Sequence, residues 1–333
     1  MGSEEGRYWI EMPASYDVTL ADIQAARLRI APHVHRTPLV SSDTLSRRLG
    51  TNVYLKLELF QKTGSFKARG AFNKAVAKNL KRGDRVVAVS GGNHAQAVAY
   101  VGQKLGLRAT IFMPEKTPAN YIEATRGYGA EVVVVPKVSE AFERMAEEEA
   151  QGATGIHPFD DPYVLAGQGT TGVEILEDVP DATDLVVSIG GGGFIGGVSV
   201  AVKSLKPDVR IWGVETVGAE TMTQALAAGR PVQLAAVTSI AKTLGAPSAS
   251  EKTLELAQKN LESVTLVPDS EAVSALQFLL ERTKVLAEPA ASCTLAAADR
   301  LRDRFTPESK VVLVLCGGNV ALRDVCAWSA AQA

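Results

Sequence analysis

The chain has few cysteines, few aromatic residues and almost no net charge. Among its 333 residues there are three cysteines, aromatic residues make up 6 %, and the formal net charge is −2. Three cysteines without metal-ligand spacing argue against a metal site and favour a reduced, cytoplasmic interior. The near-zero charge gives no electrostatic footprint for nucleic acid or for an anionic membrane surface.

Long apolar runs are also missing. No run reaches the length of a membrane span, and the charged residues Glu4, Glu5 and Arg7 leave no apolar signal core at the N-terminus. Apolar residues still make up 46 % of the chain, which is enough for a sizeable core. A chain of this length suits two modest domains or one large domain.

A regular alternation of strand and helix patterns fills most of the chain. Short β-branched or apolar runs alternate with helix-length segments over residues 85–150, and a second alternation runs from about residue 167 to a last strand at 310–315. Crossovers long enough to hold a helix are typical of parallel strands with helices on both faces. We predict an α/β protein of two lobes, in which residues 85–157 form a small domain inserted into a larger one (1–84 and 158–333).

Several element boundaries can be predicted from local signals. Thr19 with Asp22 predicts a helix start, and the apolar pattern continues it to residue 30. We predict a helix over 170–177 and another over 269–283 that is capped by Asp269. The segment 231–252 shows the least regular pattern.

Lys67 occupies an unusual place for a lysine. It follows a loop containing Gly64 and Ser65, and it begins a helix-like pattern. The positive end of a helix dipole disfavours a cation, so this position is explained if the amine is bonded to an aldehyde as a Schiff base. The alternative is a solvated surface lysine, because lysine is rarely buried.

A run of four glycines, Gly190, Gly191, Gly192 and Gly193, joins a predicted strand to a helix. Converging backbone N–H groups and a helix N-terminus form a phosphate site. The run also fits a dinucleotide-binding pattern, with Glu215 at the end of the next strand, so an NAD-dependent oxidoreductase is an alternative. A tight turn without a ligand is a further alternative.

Two other glycine clusters follow predicted strands. They are Ser90-Gly91-Gly92-Asn93-His94 and Cys316-Gly317-Gly318-Asn319. Because parallel sheets bind ligands beyond the carboxyl ends of their strands, all three clusters point to one crevice. They suit a compact ring with a phosphate and an aldehyde better than an extended dinucleotide. A non-catalytic binding protein for an amino acid or phosphate remains another possibility.

Together these motifs resemble those of the serine/threonine dehydratase group of fold type II pyridoxal 5′-phosphate (PLP) enzymes, whose relatives include serine racemases and phenylserine dehydratases. The resemblance runs from about residue 38 to residue 325. The motifs that carry it lie at residues 62–71, 92–96, 166–170, 190–197 and 316–319.

The resemblance implies a role for each motif residue. Lys67 would hold PLP, with Phe66 beside the cofactor ring. Asn93 would hydrogen-bond the ring hydroxyl, the four glycines 190–193 would hold the phosphate, and Cys316 would face the pyridine nitrogen, where relatives usually have serine. The substrate carboxylate would be received by backbone N–H groups of the loop formed by Ser90, Gly91, Gly92, Asn93 and His94.

The implied function is that of a dehydratase, or ammonia-lyase. It would remove water from a β-hydroxy-α-amino acid, threonine or serine, and release a 2-oxo acid and ammonia. The implied protein is a cytoplasmic homodimer of amino acid catabolism. Cys316 can also be interpreted as a small buried apolar residue, Asn93 as a helix cap, and His94 as a group that orients the loop rather than a base.

Three departures from the family pattern modify this expectation. Gly91 stands where racemases keep a serine base, which makes a racemase the less favoured alternative. Phe159 stands where relatives have asparagine, and with Gly91 it predicts a pocket for a bulkier substrate such as a phenylserine. Metal-binding relatives would use the positions of Glu215, Ala219 and Thr221. The threonine supplies no acid, so we expect no metal.

Overall fold

The computed structural model describes residues 16–331, so the charged N-terminal residues that argued against a signal core lie outside the described range. Ten strands occur in this range: β1 (Leu39–Ser41), β2 (Asn52–Lys56), β3 (Arg85–Val89), β4 (Arg108–Pro114), β5 (Glu131–Val135), β6 (Thr154–Gly155), β7 (Asp184–Ser188), β8 (Arg210–Thr216), β9 (Ser263–Val267) and β10 (Lys310–Val314).

The same range contains thirteen α-helices. They are α1 (Leu20–Ile30), α2 (Asp43–Leu49), α3 (Lys67–Ala77), α4 (Asn93–Leu105), α5 (Ala119–Gly127), α6 (Val138–Ala150), α7 (Pro162–Asp178), α8 (Gly193–Leu205), α9 (Thr221–Ala228), α10 (Glu251–Asn260), α11 (Asp269–Phe278), α12 (Pro289–Arg300) and α13 (Leu322–Ala330).

The strands form two sheets. One has six strands in the order β1-β2-β10-β7-β8-β9, and the other has four in the order β5-β4-β3-β6. Only the β1–β2 pair is antiparallel among these strands. The second sheet is built from residues 85–155, within the predicted small domain, whose boundaries stay a prediction. None of the helices in residues 16–331 combines the length and the apolar character that a membrane crossing requires.

Helix α3 lies where the two cores meet. Its apolar residues Ala68, Ala71 and Phe72 belong to the core of the second sheet, and the helix packs against both α4 and α7. In the first sheet every residue of β7 is buried, as expected for a central parallel strand that is covered on both faces. The residue that begins α3 is thus held between two rigid layers.

Most predicted elements are present, and the differences have local causes. Helix α1 begins with the predicted Thr19–Asp22 capping box. Helix α7 starts eight residues before the predicted position, because Gly167 and Gly169 resemble loop signals but allow close helix packing. A Cβ on Gly167 would lie 2.7 Å from the Arg69 carbonyl oxygen.

The prediction for Asp269 was wrong in its role. Asp269 begins α11 but does not cap it; its carboxylate accepts hydrogen bonds from Ser239 Oγ at 2.6 Å and from the Ile240 N–H at 3.0 Å. It therefore fastens the irregular 231–252 segment, where α10 begins near the end. Helix α11 continues as a π-helical turn over Leu279–Thr283.

Candidate active site

Lys67 is the first residue of α3, and the loop before it is joined to the end of β10. The Phe66 N–H donates to the Cys316 carbonyl at 3.1 Å, and Ser65 forms an antiparallel bridge with Gly317. The Lys67 Nζ donates to the Pro158 carbonyl oxygen at 2.7 Å. These contacts place the amine beside the cysteine cluster that follows the last strand.

The amine of Lys67 is set up as a nucleophile. Burial lowers the pKa of Lys67 to about 8, while a weaker interaction with Cys316 acts in the opposite direction. Lys67 forms no ion pair within residues 16–331. A lysine in this setting is neutral in a substantial fraction of molecules near pH 8, and a neutral amine can attack an aldehyde or accept a proton.

Two residues beyond Lys67, a buried ion-pair network fixes α3. Arg69 donates from Nε to Glu58 Oε2 at 2.8 Å and from Nη1 to Glu174 Oε1 at 2.7 Å. Lys56 Nζ donates to Glu174 Oε2 at 2.6 Å. Two cations therefore balance two anions inside the protein, which satisfies the condition for burying charge.

The predicted glycine loop lies between β7 and α8, as the sequence indicated. Gly192 has φ of 90°, a conformation that favours glycine, and α8 begins without a side-chain cap. A Cβ on Gly191 would lie 2.2 Å from Phe159 Cδ1, so the loop backbone is approached too closely for any side chain. An uncapped helix start with exposed backbone donors is a site for an anion such as phosphate.

An aromatic stack connects this loop to Lys67. The rings of Phe66 and Phe194 are stacked with centroids 3.9 Å apart. Phe159 is buried and packs edge-on against His157, with ring centroids 4.7 Å apart. The lysine and the glycine loop therefore belong to one assembly, and Phe159 supports the glycine loop from below.

Asn93 begins α4 and is held from both ends of its amide. Its Nδ2 donates to Glu288 Oε1 at 2.9 Å, and its Oδ1 accepts from Asn319 Nδ2 at 2.8 Å. Thr243 Oγ1 donates to the same Glu288 oxygen at 2.8 Å. The cluster after β3 and the cluster after β10 are thus connected directly, as the sequence predicted.

Glu288 is a site residue that sequence reasoning missed. It is 2 % exposed, and its Oε2 has no hydrogen-bond partner within residues 16–331. Burial raises the pKa of Glu288 to about 7, although hydrogen bonds from Thr243 and Asn93 oppose the shift. The only signal in the sequence was a charged residue in the apolar stretch before Pro289.

His94 is buried and neutral. Its Nε2 lies 2.7 Å from the Ile156 carbonyl oxygen, which fixes the proton on that nitrogen. Burial, with a smaller contribution from Lys67, lowers the pKa of His94 to about 3. In the same loop Ser90 Oγ accepts a hydrogen bond from the Gly92 N–H at 3.1 Å, so this hydroxyl shapes the turn.

Cys316 lies at the end of β10 with a neutral thiol. Ser188 Oγ donates to its sulfur at 3.4 Å, and the thiol lies 3.6 Å from the Ala290 carbonyl oxygen. Burial raises the pKa of Cys316 to about 12. A group that stays uncharged here cannot enforce a protonated pyridine ring as a carboxylate would.

Glu215 does not form the dinucleotide site that the glycine pattern had suggested as an alternative. It is fully buried, and its carboxylate accepts from the Met222 N–H at 2.7 Å and from the Thr223 N–H at 2.8 Å, at the start of α9. Burial raises the pKa of Glu215 to about 7. With both oxygens turned into the protein, Glu215 cannot hydrogen-bond a ribose.

Comparison with known proteins decides the family. The chain matches the family described as pyridoxal-phosphate-dependent enzymes over residues 30–317. The chain belongs to this family. Among relatives, the L-threonine ammonia-lyase of Thermotoga maritima is 42 % identical over 91 % of this chain and 76 % of its own length. A catabolic L-threonine dehydratase of Staphylococcus aureus is 36 % identical over 95 % of this chain and 93 % of its own.

Solved structures agree with these relatives. Maize serine racemase has a TM-score of 0.87 and 35 % identity, covering 95 % of this chain and 98 % of its own. A threonine deaminase from the organism abbreviated T.th. has a TM-score of 0.85 and 39 % identity, covering 91 % and 99 %. The predicted family, the α/β fold, PLP as cofactor and a lyase of the dehydratase (ammonia-lyase) class are confirmed.

The residues of the site fit PLP. The aldehyde needs an amine of lowered pKa, which Lys67 supplies. The phosphate needs backbone donors and a helix start, which the glycine loop supplies. Ser65 Oγ, His94 Nδ1 and Glu288 Oε2 are buried polar atoms without a partner in residues 16–331, so polar groups are available for a polar ligand.

Proposed function

We propose that the protein dehydrates a small β-hydroxy-α-amino acid, with threonine and serine as the substrates, and releases a 2-oxo acid and ammonia. The observation that carries this proposal is the buried Lys67 amine of lowered pKa beside an uncapped glycine loop. The relatives named for threonine support the choice of substrate. Phe159 is explained by its packing on Gly191, so it gives no separate support for a phenylserine.

In this proposal each residue of the chain has one task. Lys67 holds PLP between turnovers, the glycines 190–193 hold the phosphate, Phe66 lies beside the ring and Cys316 faces the pyridine nitrogen. Asn93 reaches the ring hydroxyl from a position that Glu288 fixes. PLP, when bound, supplies the electron sink that makes the Cα–H bond of an attached amino acid acidic.

The proton transfers are assigned to Lys67. Once a substrate amine has taken its place, the neutral Lys67 amine removes the Cα proton, because its pKa of about 8 suits a general base near neutral pH. His94 is neutral and engaged with the Ile156 carbonyl, so it orients the loop instead of titrating. The substrate carboxylate is received by the N–H groups of residues 90–94.

A substitution at Lys67 tests the proposal. We expect Lys67→Ala to lose turnover by at least about 10³-fold together with the visible absorbance of bound PLP, since the proton acceptor and the covalent attachment are the same atom. Release of 2-oxo acid from threonine, serine and phenylserine would be measured for both proteins. Normal activity in the variant would refute the assignment, and phenylserine turnover above that of threonine would restore the bulkier substrate.

Racemisation of serine is the second candidate. Its support is the structural likeness to maize serine racemase. Chiral analysis of serine after incubation with the protein distinguishes the two reactions, because dehydration consumes serine without forming its mirror image.

A cytoplasmic homodimer completes the proposal. Its support is the small number of cysteines and the presence of exposed large apolar side chains, among them Leu28, Phe60 and Leu322, that a second copy can cover. Light scattering coupled to size-exclusion chromatography measures the oligomeric state, and a monomer mass would refute this part.

A further inference from the structure

Thr117 places a hydroxyl in the space next to Gly91. A Cβ on Gly91 would lie 2.6 Å from Thr117 Oγ1, whereas the Cβ and Cγ2 atoms of Thr117 are both 3.5 Å away. The hydroxyl, rather than the methyl group, is therefore the part of Thr117 that faces the 90–94 loop. Gly91 and Thr117 form a complementary pair, in which the missing side chain of one makes room for the other.

The topology explains why these residues meet. Gly91 follows β3 and Thr117 follows β4, and these strands are parallel neighbours with Val89 opposite Phe112. The Ser90 N–H extends the pairing by donating to the Phe112 carbonyl at 3.2 Å. The Thr117 N–H donates to the Pro114 carbonyl at 2.9 Å, which forms the turn that carries the hydroxyl to the carboxyl edge of the sheet.

The two hydroxyls near this loop have different partners. Ser90 Oγ accepts from the Gly92 N–H and is turned into the loop backbone. Thr117 Oγ1 has no hydrogen-bond partner in the described part of the chain, and Thr117 is half-buried. An unengaged donor beside a loop of backbone N–H groups adds one more donor to any anion that binds there.

We propose that Thr117 is a substrate-binding residue whose hydroxyl donates a hydrogen bond to the carboxylate of the amino acid received by residues 90–94. This inference rests on the proposed function, because it assumes an amino acid substrate at that loop. Thr117 thus supplies the hydroxyl on the wall of the site where Gly91 has no side chain.

The test compares Thr117→Val, which removes the hydroxyl at nearly constant shape, with Thr117→Ser, which keeps it. Two quantities are measured on the PLP-loaded proteins: kcat and KM for threonine, and the Kd for glycine, an amino acid that has a carboxylate but no hydroxyl to lose. We expect Thr117→Val to raise both KM and Kd about tenfold with kcat changed less than threefold, because a hydrogen bond to a charged group is lost. Thr117→Ser should stay within threefold of the parent.

A third variant moves the hydroxyl to the other loop. In Gly91→Ser with Thr117→Ala, the serine side chain enters the space that the threonine side chain leaves, and we expect KM and Kd within threefold of the parent. Gly91→Ser alone should bind glycine more weakly, because its Cβ would meet Thr117 Oγ1 at 2.6 Å. This exchange keeps the test decisive if Thr117→Val does not fold.

Two results would overturn the inference. One is a glycine Kd raised less than fivefold by Thr117→Val, and the other is an equal rise in Thr117→Ser, since the turn rather than the hydroxyl would then be responsible. Failure of the proposed function has a different signature. The parent protein would release no 2-oxo acid, while glycine binding would still report on Thr117.

Discussion

At the scale of single residues, the site depends on groups whose charge is suppressed by burial. Lys67, His94 and Cys316 all have pKa values shifted toward the neutral form, and burial is the main cause in each case. A neutral amine can react with an aldehyde, and a neutral thiol leaves the facing ring nitrogen unforced. The residues share one physical device even though their proposed roles differ.

The lowered pKa of Lys67 predicts how the cofactor-free protein takes up PLP at different pH values. The pKa is about 8 instead of the 10.5 of an ordinary lysine, so the neutral fraction rises through pH 8 and is nearly complete by pH 9. We expect the rate of PLP uptake, followed by absorbance, to increase from pH 6.5 and to level off above about pH 8.5.

Free Nα-acetyl-lysine is the control for this uptake experiment. Its reaction with PLP should still accelerate up to about pH 10, because its amine has the ordinary pKa. If uptake by the protein also continued to accelerate to pH 10, the amine that captures PLP would be an ordinary one.

At the scale of elements, close contact between α7 and α8 explains the glycines in both helices. A Cβ on Gly197 would lie 2.2 Å from the Leu165 carbonyl oxygen and 2.8 Å from the Gly169 backbone nitrogen. The backbones approach too closely for side chains. Because α8 carries the glycine loop at its start, this contact also sets the position of the phosphate site.

Gly197→Ala therefore should destabilise the protein. We expect a loss of about 1–3 kcal/mol in the free energy of unfolding, measured by chemical denaturation, because the added methyl group must push two helices apart. Gly127→Ala in α5 is the matched control, since its Cβ meets no atom within 4 Å and alanine favours a helix by up to about 1 kcal/mol. Equal effects of the two substitutions would contradict the packing argument.

The sequence predicted those elements whose signals are local. Helix α4 and strands β3 and β5 have the predicted boundaries, because alternating apolar runs and a closing glycine act over a few residues. The first half of α7 was missed because glycines needed for packing resemble loop glycines. Helix α10 was missed inside a segment without clear periodicity.

The site followed the same division. Lys67, Asn93 and the glycine loop lie in recognisable motifs, and the structure brings them together. Glu288, Thr243 and Thr117 act through contacts between distant parts of the chain, such as the hydrogen bond from Thr243 to Glu288, and one sequence contains no signal for such contacts. The roles of all these residues stay predictions until they are tested.

At the scale of the whole molecule, Arg69 joins α3 to both sides of its surroundings. It is fully buried and pairs with Glu58, which follows β2, and with Glu174 in α7. These partners hold their positive and negative charges in a region without water. The position of Lys67 between the two cores depends on this junction.

Removing the guanidinium should unfold more than the local helix. We expect Arg69→Met to lower the free energy of unfolding by about 3–5 kcal/mol, because buried carboxylates are left without a partner. Arg300→Met is the control, since the Arg300–Glu271 pair is exposed and should contribute less than about 1 kcal/mol. Thermal or urea unfolding measures both, and similar losses would show that the buried pair has no special weight.

The balance of two cations against two anions around α3 also restricts how this protein can diverge. Changing Lys56, Arg69, Glu58 or Glu174 alone leaves an uncompensated charge in the interior, so a lineage that replaces one of them passes through a poorly folding ancestor. Replacements should therefore arise as opposite-charge pairs. A designer who wishes to make this region apolar would do best to exchange all four at once.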